Sequence, residues 1–172
     1  MGSYLNPGNK GFQESLNSEI YVDKTGLIEK TNAVLDTRQK FLCVSRPRRF
    51  GKSMAADMLA AYYERGEDAD LLFRSLKISK AESYRAHLNQ YDVIKVNIQE
   101  FLSMTGSMDE MLSMLKKYLV FDLMEHFDDV RFRDESNLIQ VMKDIYAKTK
   151  RAFVILIDEW DCLFREYQQD QD

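Results

Sequence analysis

The sequence predicts a three-layer α/β domain with mainly parallel strands, and three observations carry that prediction. Short apolar runs at 41–44, 92–98 and 153–157 alternate with stretches of helical periodicity. The run Phe153-Val-Ile-Leu-Ile157 is apolar throughout, the pattern of a strand covered on both faces as in a parallel sheet between helix layers. The first run passes through a basic loop into Gly51-Lys52-Ser53 and then a helix-forming stretch. Strand, loop, Gly-Lys-Ser, helix is the layout of a phosphate-binding loop.

Taken in order, residues 1–18 hold Gly2, Pro7, Gly8 and Gly11 among polar residues and read as a loose lead-in, anchored by Phe12 and Leu16. Ile20-Tyr-Val favours extended structure, and Asp23 or Thr25 can cap the helix that follows, with Leu27, Ile28, Thr31, Val34 and Leu35 on one face. Phe41 to Val44 reads as a buried strand. The helix from Lys52 to about Arg65 carries an apolar stripe of Ala55, Met58, Leu59 and Tyr62. Residues 67–78 predict a short helical turn, and Ser79-Lys-Ala-Glu82 fits a capping box.

Tyr91 to Ile98 reads as a strand in which Ile94, Val96 and Ile98 alternate with Lys95 and Asn97, one face wetter than the other, as at a sheet edge. Ser107-Met-Asp-Glu110 is a second capping box, opening a helix over about 108–127 whose methionines (Met104, Met108, Met111, Met114) read as core filler. A charged connection at 128–135 leads to a helix over about 137–149 with Leu138, Val141, Met142 and Ile145 on one side. Residues 19–167 read as one domain and 168–172 as a polar tail.

Composition excludes some classes. The chain has 172 residues, enough for one domain with a core. Its formal charge is -4, from 24 basic and 28 acidic residues, so no global attraction pulls it to nucleic acid or anionic membranes. No apolar run approaches a membrane span. Cys43 and Cys162 have no metal-type spacing and read as small buried hydrophobes in a reduced cytoplasm. His87 and His126 have no matching partners and read as surface or packing residues.

The candidate site is built from two stretches. A triphosphate needs converging backbone N–H groups, a helix N-terminus and a cation. Gly51 lets the backbone approach, Lys52 reaches the β and γ oxygens, and the Ser53 hydroxyl suits Mg²⁺. The pattern Gly-x4-Gly-Lys-Ser would put its first glycine at position 46, where Arg46 stands, followed by Pro47; Arg48 and Arg49 offer charge, and Phe50 completes the loop. Downstream, Asp158 ends an apolar strand, where a carboxylate holds Mg²⁺ or its waters, and Glu159 follows as a base for water. Ligands of open α/β sheets bind at the carboxyl ends of strands, so the two stretches can share one site. Asp161 and Trp160 read as local capping and packing.

Tyr21-Val-Asp-Lys-Thr-Gly-Leu-Ile28, Ser45-Arg-Pro-Arg-Arg-Phe-Gly-Lys-Ser53 and Leu156-Ile-Asp-Glu-Trp-Asp161 together resemble the predicted AAA-ATPase-like proteins of bacteria, over about residues 10–167. The loop without its first glycine is typical of that family; Trp160 stands where Tyr is commoner. The resemblance implies a P-loop NTPase fold of the additional-strand type, strand order 5-1-4-3-2, with 41–44 as strand 1, 92–98 as strand 2 and 153–157 as strand 3. It implies ATP and Mg²⁺ as ligands and often a C-terminal nuclease-like domain of the PD-(D/E)XK type. Strands 4 and 5, the γ-phosphate sensor and any arginine finger would then lie beyond Asp172. On that expectation the fold is incomplete, and the chain needs its C-terminal half or self-associates through unpaired strands. Two other readings stay open: a phosphotransferase using the same loop, and a non-catalytic module whose basic loop contacts nucleic acid or a protein.

Overall fold

The computed structural model describes residues 2–45 and 50–164. Helices surround a parallel sheet of two strands, mixed helix and sheet as an α/β domain requires. The helices are α1 (Lys10–Leu16), α2 (Gly26–Asn32), α3 (Lys52–Tyr63), α4 (Asp70–Phe73), α5 (Tyr84–His87), α6 (Ile98–Ser103), α7 (Met108–His126) and α8 (Leu138–Thr149), with a 3-10 turn at Lys77–Lys80. The strands are β1 (Asp92–Asn97) and β2 (Phe153–Asp158), paired in register from Asp92↔Phe153 to Asn97↔Asp158. The runs expected as strands 2 and 3 are therefore direct neighbours.

The sheet separates two cores. On one side Val93 and Val154 join Phe12, Ile28, Met58, Tyr62, Tyr63 and Phe73. On the other, Ile94 and Val96 join Phe101, Met111, Leu123, Val141 and Ile145 from α6, α7 and α8. Local signals explain the helices of the second core. Ser107 accepts from the Glu110 N–H at 3.3 Å to start α7, as its capping box predicts. Asn137 accepts from the Gln140 N–H at 3.2 Å to start α8, and Asn97 from the Glu100 N–H at 3.4 Å to start α6. Lys150 at φ 57 ends α8 in the left-handed region.

Four expectations are corrected. Residues 41–45 form no strand, and Phe41 is 87% exposed. No strand among the described residues pairs with them, and a segment without a ladder keeps its backbone groups in water. Cys43 on that segment is exposed, while Cys162 is buried as expected. The N-terminal stretch is not loose. Leu5 and Asn6 are buried, Leu5 makes an antiparallel bridge to Ile94, and the Lys95 N–H donates to the Tyr4 carbonyl at 2.9 Å. Asp122 of α7 holds this arm by accepting from the N–H groups of Ser3, Tyr4 and Leu5 at 3.1, 2.7 and 2.8 Å. The Ser79 capping box does not form: the Ser79 hydroxyl donates to the Leu76 carbonyl at 2.8 Å, closing the 3-10 turn instead.

The fourth correction exchanges the roles of the strands. β1, read as a half-wet edge, is buried on both faces at Val93, Ile94 and Val96. Its lysine is not solvated but paired: the Lys95 ammonium meets the Asp57 carboxylate of α3. At its first residue the buried Asp92 carboxylate binds Arg65 at 2.8 Å and Arg151 at 3.1 Å. β2, read as covered on both faces, leaves Ile155 and Ile157 each 53% exposed.

Candidate functional site

The direction of α3 follows from its bonds to β1. Midway along it Asp57 meets Lys95; past its C-terminal end the Arg65 N–H donates to the Tyr91 carbonyl at 3.1 Å, and Arg65 Nε binds Asp92. Advancing along the helix thus retreats along the strand, so α3 runs antiparallel to β1 and β2. Its first residues, Lys52 and Ser53, point toward the end of the sheet where β1 stops at Asn97 and β2 at Asp158. The two stretches singled out in the sequence approach the same end of the molecule.

Gly51 starts α3 at φ 77 and ψ 35, a left-handed conformation that glycine adopts without strain. A Cβ there would lie 2.9 Å from Lys24 Nζ and would displace the end of that flexible side chain. Among the described residues no side chain caps α3, and no acidic residue sits in its first turn, unlike α7, which has both Ser107 and acidic residues there. The positive end of the helix dipole is therefore left to Lys52, half-buried, and Ser53, exposed.

At the end of β2 Asp158 is buried, and its Oδ1 accepts from the Glu159 N–H at 2.9 Å. Glu159 itself sits at φ 54. A left-handed residue other than glycine costs about 1–2 kcal/mol, a strain concentrated at the chain reversal directly after the strand. The turn then closes through the Cys162 N–H to the Glu159 carbonyl at 3.1 Å. Register places Asn97 beside Asp158 on the neighbouring strand. Arg48 and Arg49 lie outside the described residues, as do Arg46 and Pro47. Phe50 is exposed.

Hard oxygen donors are what Mg²⁺ takes, and the Asp158 carboxylate and Ser53 hydroxyl are of that type. Among the described residues no group of three or more His, Cys, Asp or Glu side chains is arranged to hold a metal ion. A cation here would need further oxygens from a bound phosphate or from water, which is how Mg²⁺ is commonly held.

The site also contains residues to which the sequence assigned no site role. Lys24 donates from Nζ to the Phe50 carbonyl at 3.0 Å, directly before Gly51. Its neighbours fix it in place. Asp23 accepts from the Thr25 N–H at 2.9 Å, the Thr25 hydroxyl at 2.6 Å and the Lys77 N–H at 2.8 Å. The Thr25 hydroxyl in turn accepts from the Ile78 N–H at 3.1 Å. Burial alone would raise the Asp23 carboxyl, but these bonds outweigh it and hold it below the usual range. The signal was present in Tyr21-Val-Asp-Lys-Thr25; only the fold brings that segment to the loop. No helix among the described residues is long and apolar enough to cross a membrane.

A family model described as "Predicted AAA-ATPase" matches residues 8–172. The chain is 26% identical over 146 residues to an "Uncharacterized protein in vnfD 5'region" of Azotobacter chroococcum mcd 1, a match covering 82% of this chain. That match takes in about a quarter (25%) of the relative's length. No solved structure matches.

Proposed function

The chain belongs to the predicted AAA-ATPase family, and from that premise we propose that it binds ATP with Mg²⁺ between the start of α3 and the end of β2. The observation that carries the proposal is the antiparallel course of α3, which turns a bare glycine-started helix N-terminus toward the carboxylates ending β2. In this reading the backbone N–H groups at Gly51–Ser53 and the Lys52 ammonium hold the β and γ phosphates. Ser53 and Asp158 hold the metal, which when bound neutralises phosphate charge and polarises the phosphorus. Glu159 orients and deprotonates the attacking water, making the activity a hydrolysis. What supports a role here is its place in the chain: its backbone N–H donates to the Asp158 carboxylate and its φ is left-handed directly after the strand.

The test is ATP binding and phosphate release by the 172-residue chain and two variants. Lys52→Ala removes a charge-assisted contact worth about 1.5–3 kcal/mol and is expected to weaken ATP binding about 10–100-fold. Glu159→Gln is expected to keep the affinity and lower turnover by about 100-fold or more. Equal affinity of the Lys52→Ala variant and the wild type would remove the proposal. Retained turnover in Glu159→Gln would leave the binding site but reassign the base.

A further inference from the structure

The two edges of the sheet are finished differently. The far edge of β1 is closed by the N-terminal arm, through the bridge from Leu5 to Ile94 and the bond from the Lys95 N–H to the Tyr4 carbonyl. Among the described residues β1 is the one strand partner of β2, so the N–H and C=O groups along the outer edge of β2 have no ladder. We propose that two copies of this chain pair through that edge, β2 against β2 and antiparallel, with the two-fold axis of the dimer at Leu156.

Three features carry the assignment. The first is an edge without protection. Phe153-Val-Ile-Leu-Ile157 has no lysine, proline or glycine, and it matches β1 residue for residue without a bulge. Those are the devices that keep a free edge from pairing.

The second is apolar surface beside the edge. By register Ile155 and Ile157 share the face of Ile94 and Val96, which α6 to α8 cover over β1 and leave open over β2. On the same side of the sheet α8 carries Ile139, Met142 and Tyr146 at i, i+3 and i+7; Met142 reaches the core, while Ile139 and Tyr146 are exposed. The opposite flank of α8 is occupied within the chain. There Asp144 accepts from the Arg133 N–H at 2.9 Å and Lys148 binds the Asp129 carboxylate at 2.6 Å, both in the connection from α7. The bare stripe is therefore turned away from α7. In a pair centred on Leu156, Ile155 of each copy stands opposite Ile157 of the other on that face, removing from water what one chain leaves wet. A slip of one residue would set the isoleucines against the wrong face.

The third is the order of charge. Lys148, Lys150 and Arg151 precede the strand, and Asp158, Glu159 and Asp161 follow it. Antiparallel pairing brings the basic end of one copy to the acidic end of the other, with Arg151 level with Asp161 at both ends of the interface. Parallel pairing would bring like charges together. The strand is thus complementary to itself in one orientation. A helix laid on this face would cover the isoleucines but would leave the edge backbone unpaired and the charge order unused.

One strand pair with its flanking side chains makes a small interface, so a weak dimer is expected, with Kd about 1–100 μM, and the dilute chain keeps β2 open. Sedimentation velocity of the 172-residue chain without nucleotide is expected to show monomer giving way to dimer as concentration rises, and to stop there, because pairing consumes the open edge. Ile157→Lys charges an exposed side chain of the edge and is expected to abolish the dimer. Lys150→Glu shifts the basic end toward acid, and Asp161→Lys shifts the acidic end toward base. Each is expected to weaken dimerisation about tenfold, and an equimolar mixture of the two to restore it. Thermal melts confirm that each variant is folded, and Ile157→Lys decides alone if a charge variant does not fold. A wild-type chain that stays monomeric, or one that assembles past the dimer, would overturn the proposal. So would undiminished dimerisation of Ile157→Lys, or a mixture of folded charge variants that pairs no better than either alone.

Discussion

The two strands of the sheet sit side by side in register yet live in opposite surroundings. β1 carries a lysine and an asparagine in its sequence and is buried on both faces; β2 is apolar from Phe153 to Ile157 and is half open. Ile94 and Ile155 make the contrast plain, since they are register partners on the same face, 2% and 53% exposed. β1 gains its cover from three separate places: α3 below it, α6 to α8 above it, and the N-terminal arm along its edge. β2 has β1 as its strand partner among the described residues, and the helices that bury Ile94 do not reach across to Ile155 and Ile157. Apolar content shows what a strand can bury, and neighbours decide what it does bury.

The largest test of this contrast uses the register pair. Ile94→Ala is expected to cost about 2–5 kcal/mol in urea unfolding, the range for truncating a buried isoleucine. Ile155→Ala should cost about half as much or less, because much of its side chain already meets water. Equal costs would mean that β2 is covered in solution.

The next test removes the edge cover of β1. Asp122→Ala deletes the acceptor of three arm N–H groups and is expected to cost about 1–3 kcal/mol. Its sharper readout is hydrogen exchange at the Lys95 amide, which donates to the Tyr4 carbonyl and should lose protection when the arm lifts. Unchanged protection at Lys95 would show that β1 does not depend on the arm.

The smallest expected effect lies at the tip of β2. Glu159→Gly relieves a left-handed conformation and is expected to raise stability by up to about 1 kcal/mol while removing the proposed base. A gain in melting temperature with loss of phosphate release would mark Glu159 as strained for its chemistry. A drop in stability would show instead that its side chain holds the turn.

Much of the molecule was legible in the chain. Ser107 and Glu110 mark the start of α7 because a cap and its partner lie within one turn. The spans of β1, β2, α3 and α8 follow from periodicities only a few residues long, and the family is carried by three short motifs. The run at 41–44 misled because apolar content supplies a strand's side chains but not its pairing partner. The N-terminal arm was missed because its bonds are long-range: Leu5 and Asp122 stand 117 residues apart in the chain, and Asn6 and Val93 stand 87 apart.

The candidate site divides in the same way. Gly51, Lys52, Ser53, Asp158 and Glu159 could be named from the sequence, because phosphate and metal chemistry demand particular residue types in a short order. Lys24 could not, because its bond to Phe50 joins segments 26 residues apart in the chain. By itself the sequence determined α2, α3, α7 and α8, the two paired strands and the family. The tertiary structure alone decided which strand is buried, which way α3 points and which lysine stands beside Gly51. Local order follows from contacts within a turn or two of chain; burial and the convergence of side chains depend on segments that meet only when the whole chain packs.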